Sequence, residues 1–284
     1  MEASLIEVVR FLSLPFMMCL ILAGIHCYLG FHVLERGVVF VDLSLAQVAA
    51  FGSTLALALG FGPHEWQGYI IPLLCTFVAA LLFSRARAME EKIPQEAIIG
   101  ITYALGSAAV VLVLNEMSHG TEHIKRLLVG QVLWVGWSDV VKVSLIYGGV
   151  ALIHVVFHKR FFAASRGELG SKQGLWDFFF YALFGVVITS SVKIAGVLQV
   201  FAYLIVPSVL ANTWFSKFSH KLVFGWIVGF VLSAIGMSWS YISDLPSGAA
   251  IVVCFTIVPC LVVVLGKKPV EVIRSTNRLN ATSN

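Results

Sequence analysis

The chain has 284 residues, 59% of them hydrophobic and 12% charged, with a mean hydropathy of +0.92 and a formal net charge of +4. Soluble domains carry about 25% charged residues, so this composition excludes a soluble globular enzyme and makes the bilayer the relevant solvent. Repeated apolar runs of about 20 residues require helices, because a transmembrane barrel would show short alternating segments instead.

Apolar periodicity and helix breakers predict spans over 10–33, 38–61, 68–84, 96–115, 139–158, 175–193, 195–215, 220–241 and 247–266. A shorter mixed segment, 118–138, reads as a re-entrant or surface helix. The fold class is therefore all-α: a polytopic membrane protein of eight to nine transmembrane helices, one domain over 1–284, with a polar flexible tail over about 267–284. The first apolar run is not followed by an A-x-A-like cleavage site and carries His26 and Tyr28, so a removable signal peptide is not expected.

With nine crossings the termini fall on opposite sides, and Lys and Arg choose the orientation. Placing the C-terminus in the cytoplasm puts fourteen of the 19 basic residues inside and leaves Arg10, Lys125, Arg126, Lys142 and Lys193 outside. The N-terminus is then outside. One cytoplasmic connection, 158–174, is long enough for structure of its own, and its Arg166 and Lys172 rim suits either a partner's groove or anionic lipid.

In the first span His26 is read as an inter-helix hydrogen bond or, alternatively, as a metal ligand. The second opens with Asp42 inside an apolar run. A carboxylate at membrane depth costs roughly 2.5 to 3.5 kcal/mol on insertion scales, so it marks an ion path or else sits near enough to a helix end to reach water. In the seventh, Gln199 and Tyr203 lie four apart on one face between Gly196 and Pro207, which suggests an interior-lining segment or a packed kink. Asp244 precedes Pro246 and Gly248 and reads as a helix-end charge or an entrance residue. The five cysteines form no C-x-x-C pair and read as buried apolar groups. No Walker A loop, G-x-S-x-G or H-E-x-x-H occurs, so the chain does not use ATP alone. No basic stretch is interleaved with aromatics, which argues against a nucleic-acid partner.

Several passages resemble one family. Ala195–Asn212, AGVLQVFAYLIVPSVLAN, and SDLPSGAAIV from Ser243 are similar to segments of the membrane permeases of ATP-binding cassette importers for zinc, manganese and iron. LLVGQVLWVGWSD from Leu127 and EAIIGI from Glu96 resemble two more. Ser165, Arg166, Glu168, Leu169 and Gly170 are similar to the family's ATPase-coupling segment.

The resemblance implies a permease subunit that takes up a divalent metal ion by alternating access in a bacterial plasma membrane. Its implied partners are a separate ATPase that binds the ATP, an extracytoplasmic metal-binding protein and a second copy of the chain; no resident cofactor is implied. The sequence departs from the pattern in the second span. Counting back from Gly52 puts Leu43 and Gln47 where the family has aspartate and histidine, with Asp42 one residue early. Five residues turn a helix about 140 degrees past a full circle, so Asp42 and Gln47 do not share a face. Both are expected as path residues only, and zinc chemistry is not supported by an amide. The alternatives are an ATP-independent secondary transporter, which should show inverted repeats, and a membrane-embedded metalloenzyme, which needs converging ligands.

Overall fold

The structure is a computed structural model that describes residues 5–62, 65–115, 117 and 127–265. The polar tail and most of the predicted 118–138 segment's first half lie outside the described residues. The helices are α1 (Leu5–Arg36), α2 (Val41–Ala58), α3 (Gln67–Arg87), α4 (Gln95–Asn115), α5 (Trp137–Val156), α6 (His158–Arg166), α7 (Gln173–Trp214), α8 (Phe218–Ser243) and α9 (Ser247–Val264). All except the short α6 are long and apolar enough to cross a membrane. The described part of 127–138 contributes a 3-10 turn, Val132–Trp134, rather than a further span.

The central helix α7 is too long for one crossing. It breaks at Gly196, whose φ of 76° and ψ of 164° are non-helical, and its contacts show that it turns back there. Along the first limb, 173–195, Asp177 meets Arg36 and Ser191 meets His26, so the limb runs antiparallel to α1. Beyond the break Gln199 meets Cys19, and Ser208 approaches Gly30, so limb 197–214 runs parallel to α1. The limbs are about 34 and 27 Å long, each enough for the hydrocarbon core. Counted this way the described helices make nine traverses, with Leu5 and Val264 at opposite ends of the bundle. Both predicted spans, 175–193 and 195–215, are present as limbs of one element.

Pro207 does not end its limb. Ser208 Oγ donates to the carbonyls of Leu204 at 2.6 Å and Ile205 at 3.0 Å, giving that stretch of the ladder polar company inside the protein. The buried core lies around α1 and α7: Leu22, Leu29, Phe180, Phe184, Tyr203 and Leu204 are all inaccessible. Apolar side chains on the outer faces of α4, α5, α8 and α9 stay exposed, as lipid-facing helices require.

The end of the bundle at which α7 turns is closed by glycine. The Gln131 backbone N–H donates to the Ile194 carbonyl at 2.8 Å, which brings segment 128–131 onto the turn. A Cβ on Gly196 would stand 2.5 Å from Gly130 N, one on Gly130 would stand 2.2 Å from Ala195 C, and one on Gly248 would stand 1.9 Å from Val129 O. Backbone touches backbone at all three places, and only glycine leaves the room.

Candidate functional site

The opposite end is organised by charge. Asp177 sits in the second turn of α7 with 1% of its side chain exposed. Its Oδ1 accepts a short bond from Arg36 Nη1, one from Arg87 Nη1 at 3.0 Å and one from Gln173 Nε2 at 2.9 Å; Oδ2 also lies 2.9 Å from Gln173 Nε2. Arg36 is the last residue of α1, where the helix dipole favours a cation. Its guanidinium carbon lies 4.1 Å from the Phe180 ring centroid and 5.3 Å from that of Tyr181, and those π faces replace part of its lost hydration. Two guanidiniums share one carboxylate, so removing the carboxylate would strand charge away from water.

This hub holds the short helix α6. The final carbonyls of a helix lack intrahelical donors. Here Arg87 Nη2 donates to Ser165 O at 3.1 Å and Gln173 Nε2 to Ala164 O at 2.7 Å, while Gly167, at φ 77°, supplies the left-handed cap. Ser165 Oγ donates to Phe161 O at 2.9 Å and therefore accepts from His32 Nδ1, also at 2.9 Å. With neutral rings, this makes His32 Nε2 an acceptor for the Tyr28 hydroxyl at 3.0 Å and leaves the Tyr28 oxygen to accept from His154 Nδ1 at 3.2 Å. His154 stacks on Phe161, 4.0 Å between centroids and 6° between planes. Thus α6 is fastened to α1, α3, α5 and α7.

Within the coupling segment expected from the sequence, the structure separates two kinds of residue. Ser165 is buried and bonded to the bundle, and Leu169 is half-buried with its N–H toward Gln173 Oε1. Arg166, Glu168 and Gly170 are exposed on the surface, and Arg166 Nε reaches Glu35 Oε1 at 3.2 Å.

The expected path residues do not converge. His26 has both nitrogens engaged: Nδ1 donates to Leu22 O at 2.7 Å, and Nε2 faces the Ser191 hydroxyl at 3.0 Å. That is the inter-helix bond among the two readings left open by the sequence. Asp42 lies in the first turn of α2, at the charged end, buried, with Oδ1 lacking a hydrogen-bond partner. Gln47 is half-buried, as is Leu43 one turn before it, so those two share the open face of α2 while Asp42 turns inward. Gln199 and Tyr203 form a separate buried pair: Gln199 Nε2 donates to the Tyr203 oxygen at 2.8 Å, and Tyr203 Oη lies 3.0 Å from Ser233 Oγ. Asp244 is exposed and ends α8 in a left-handed conformation, φ 51°, beyond the glycine-closed end. Among the described residues no three His, Cys, Asp or Glu side chains are grouped to hold a metal.

Arg36, Arg87, Asp177, Gln173 and Ser165's partner His32 are functional candidates that sequence reasoning passes over. A signal existed for one of them. Asp177 is a carboxylate in the apolar run Leu175-Trp-Asp-Phe-Phe179, and such a residue needs a partner.

Residues 9–266 match the sequence profile described as the ABC 3 transport family. The chain is similar to the manganese transport system membrane protein MntC of Listeria monocytogenes, 25% identical over 235 residues that cover 81% of each chain. It is also similar to the chelated iron transport system membrane protein YfeC of Yersinia pestis, 22% identical over 243 residues covering 84% of this chain and 80% of YfeC. Among solved structures, PsaBC from Streptococcus pneumoniae in complex with Fab contains a chain that superposes with a TM-score of 0.74 at 18% identity, covering 89% of this chain and 91% of that one. At that identity the likeness speaks for the fold.

Proposed function

The chain belongs to the ABC 3 transport family, and on that premise we propose that it forms the membrane pathway for a divalent metal ion, manganese, iron or zinc, in a bacterial importer. ATP is hydrolysed on a separate ATPase subunit, and an extracytoplasmic binding protein delivers the ion. The observation that carries this reading is the construction of α6: its last residue, Arg166, and Glu168 just past its glycine cap are presented outward while Ser165 and Ala164 are bonded inward to three crossing helices. A helix so built can take a push from a soluble subunit and pass it to the bundle.

The charged end is then cytoplasmic. Arg36, Arg85, Arg87, Lys92, Lys159 and Arg160 all fall there, whereas the described residues at the other end include only Arg10, Lys142 and Lys193 as basic groups. The N-terminus faces outward and the C-terminus inward. Two copies close around the open face of α2, so that Leu43 and Gln47 line a shared path and alternating access moves one copy against the other. Gln199 and Tyr203 brace the wall behind that path; Asp244, on the outer surface, meets the binding protein. Selectivity rests mainly with that protein, because the α2 face offers an amide where a strong divalent site needs imidazole or carboxylate.

The test is reconstitution of the chain with its ATPase and binding protein in proteoliposomes, with Mn2+, Fe2+ and Zn2+ offered in parallel. ATP-dependent uptake of at least one ion is expected. Uptake that proceeds in vesicles lacking the ATPase would overturn the assignment in favour of a secondary transporter.

A further inference from the structure

We propose that Asp177 is a positioning residue for energy coupling: with Arg36 and Arg87 it forms the latch through which displacement of α6 reaches the crossing helices. The proposal rests on the reading of α6 as the ATPase-docking helix and adds residues outside that segment.

Two sets of contacts join α6 to the bundle. The apolar set, Phe161 on His154 and Trp176 and Phe162 on Phe218, is spread over several side chains that can slide past one another. Of the polar contacts, Ser165 Oγ reaches His32 on α1 separately, while the two that hold the carbonyls of the last turn converge. Arg87 spans two groups with one planar fork, Nη1 on Asp177 and Nη2 on the Ser165 carbonyl, and Gln173 does the same between Asp177 and the Ala164 carbonyl. Both bridges end on Asp177, and Asp177 holds the last residue of α1 through Arg36. Moving the last turn of α6 therefore either carries Arg87 and Gln173 along, pulling on α3, α7 and α1 together, or breaks a charge-assisted bond.

Breaking it is costly and discrete. Asp177 and Arg36 are both screened from water, and Arg87 keeps only 13% of its side chain exposed, so a released guanidinium finds little solvent in place. Charge-assisted bonds are roughly twice as strong as neutral ones. Arg87 engages α6 and Asp177 at the same time, so a displacement of α6 loads both bonds together, which is what a mechanical link between packed elements requires.

The experiment compares Asp177→Asn and Arg87→Gln with wild type in the full complex, measuring ATPase capture, ATP hydrolysis and metal uptake in the same proteoliposomes, with the ion that wild type transports as probe. The expected result is normal ATPase capture and continued hydrolysis, with ions taken up per ATP reduced by about tenfold, within the range of coupling between linked sites. Uptake per ATP equal to wild type in both variants would overturn the latch; so would a parallel fall of uptake and hydrolysis at constant ratio. If Asp177→Asn does not assemble, Arg87→Gln decides, because it leaves the Arg36–Asp177 pair in place: an unchanged ratio there overturns the proposal. A wild-type chain that captures no ATPase sinks the docking role of α6 itself, an outcome distinct from a chain that docks and couples without Asp177.

Discussion

The two ends of the bundle are closed by opposite means. At one, Gly130, Gly196 and Gly248 bring backbone onto backbone with no side chain between. At the other, Arg36, Arg87 and Gln173 reach across gaps on long side chains to the carboxylate of Asp177. A close backbone contact permits one arrangement and resists every added atom, whereas a charged hub on flexible arms can be taken apart and rebuilt at a definite cost. The first suits a fixed wall and the second suits an end where force enters.

The contrast can be broken most decisively at Gly196. Gly196→Val places a branched side chain where a Cβ alone already overlaps Gly130 N, at a φ of 76°. We expect a loss of about 4 kcal/mol or more, seen as failure to recover monodisperse protein in detergent. Gly60→Ala separates overlap from strain, since Gly60 has a φ of 89° and open space around it; it should cost only about 1 to 2 kcal/mol. Equal losses at the two sites would show that conformation, and not contact, closes the glycine end.

Next in size is Asp177→Ala, which leaves Arg36 and Arg87 without their carboxylate. A lowering of stability by about 3 to 5 kcal/mol is expected in thermal unfolding in detergent; a change under about 1 kcal/mol would mean the hub is dispensable. Gly236→Ala probes close approach between α8 and α9, where a Cβ would lie 2.6 Å from Ile251 Cα, and should cost about 1 to 3 kcal/mol through overpacking. Tyr203→Phe removes the hydroxyl shared by Gln199 and Ser233 and should cost only about 1 kcal/mol, because hydrogen bonds between membrane helices are modest. A larger effect on uptake than on stability would give that pair a role in the path. Smallest of all is Glu35→Gln, which breaks an exposed pair with Arg166; a shift of about 0 to 1 kcal/mol that fades with added salt is expected.

Much of the fold could be read locally. The spans near 175–193 and 195–215 were separable because Gly196 interrupts an apolar run long enough for two crossings, and the structure turns there. The odd number of traverses and the clustering of basic residues at one end follow from the same local cues. The hub was less legible. Asp177 and Arg36 are 141 positions apart, and Arg87 and Asp177 are 90 apart; no spacing rule links residues on different helices. Asp42 illustrates the converse: its place in an apolar run and its separation from the face of Gln47 are legible in the sequence, yet only the structure shows it buried with Oδ1 lacking a hydrogen-bond partner.

The amino-acid sequence by itself determined that the chain crosses a membrane, roughly how often, and which family it resembles, because hydropathy summed over about 20 residues and short motifs are properties of contiguous stretches. Tertiary structure alone decided which polar groups meet. A buried charge in an apolar span demands a partner but does not name one, and the choice among distant candidates is made only when helices pack. That is why the glycine closure and the Asp177 hub, the two features that distinguish the ends of this protein, emerge only from the folded chain.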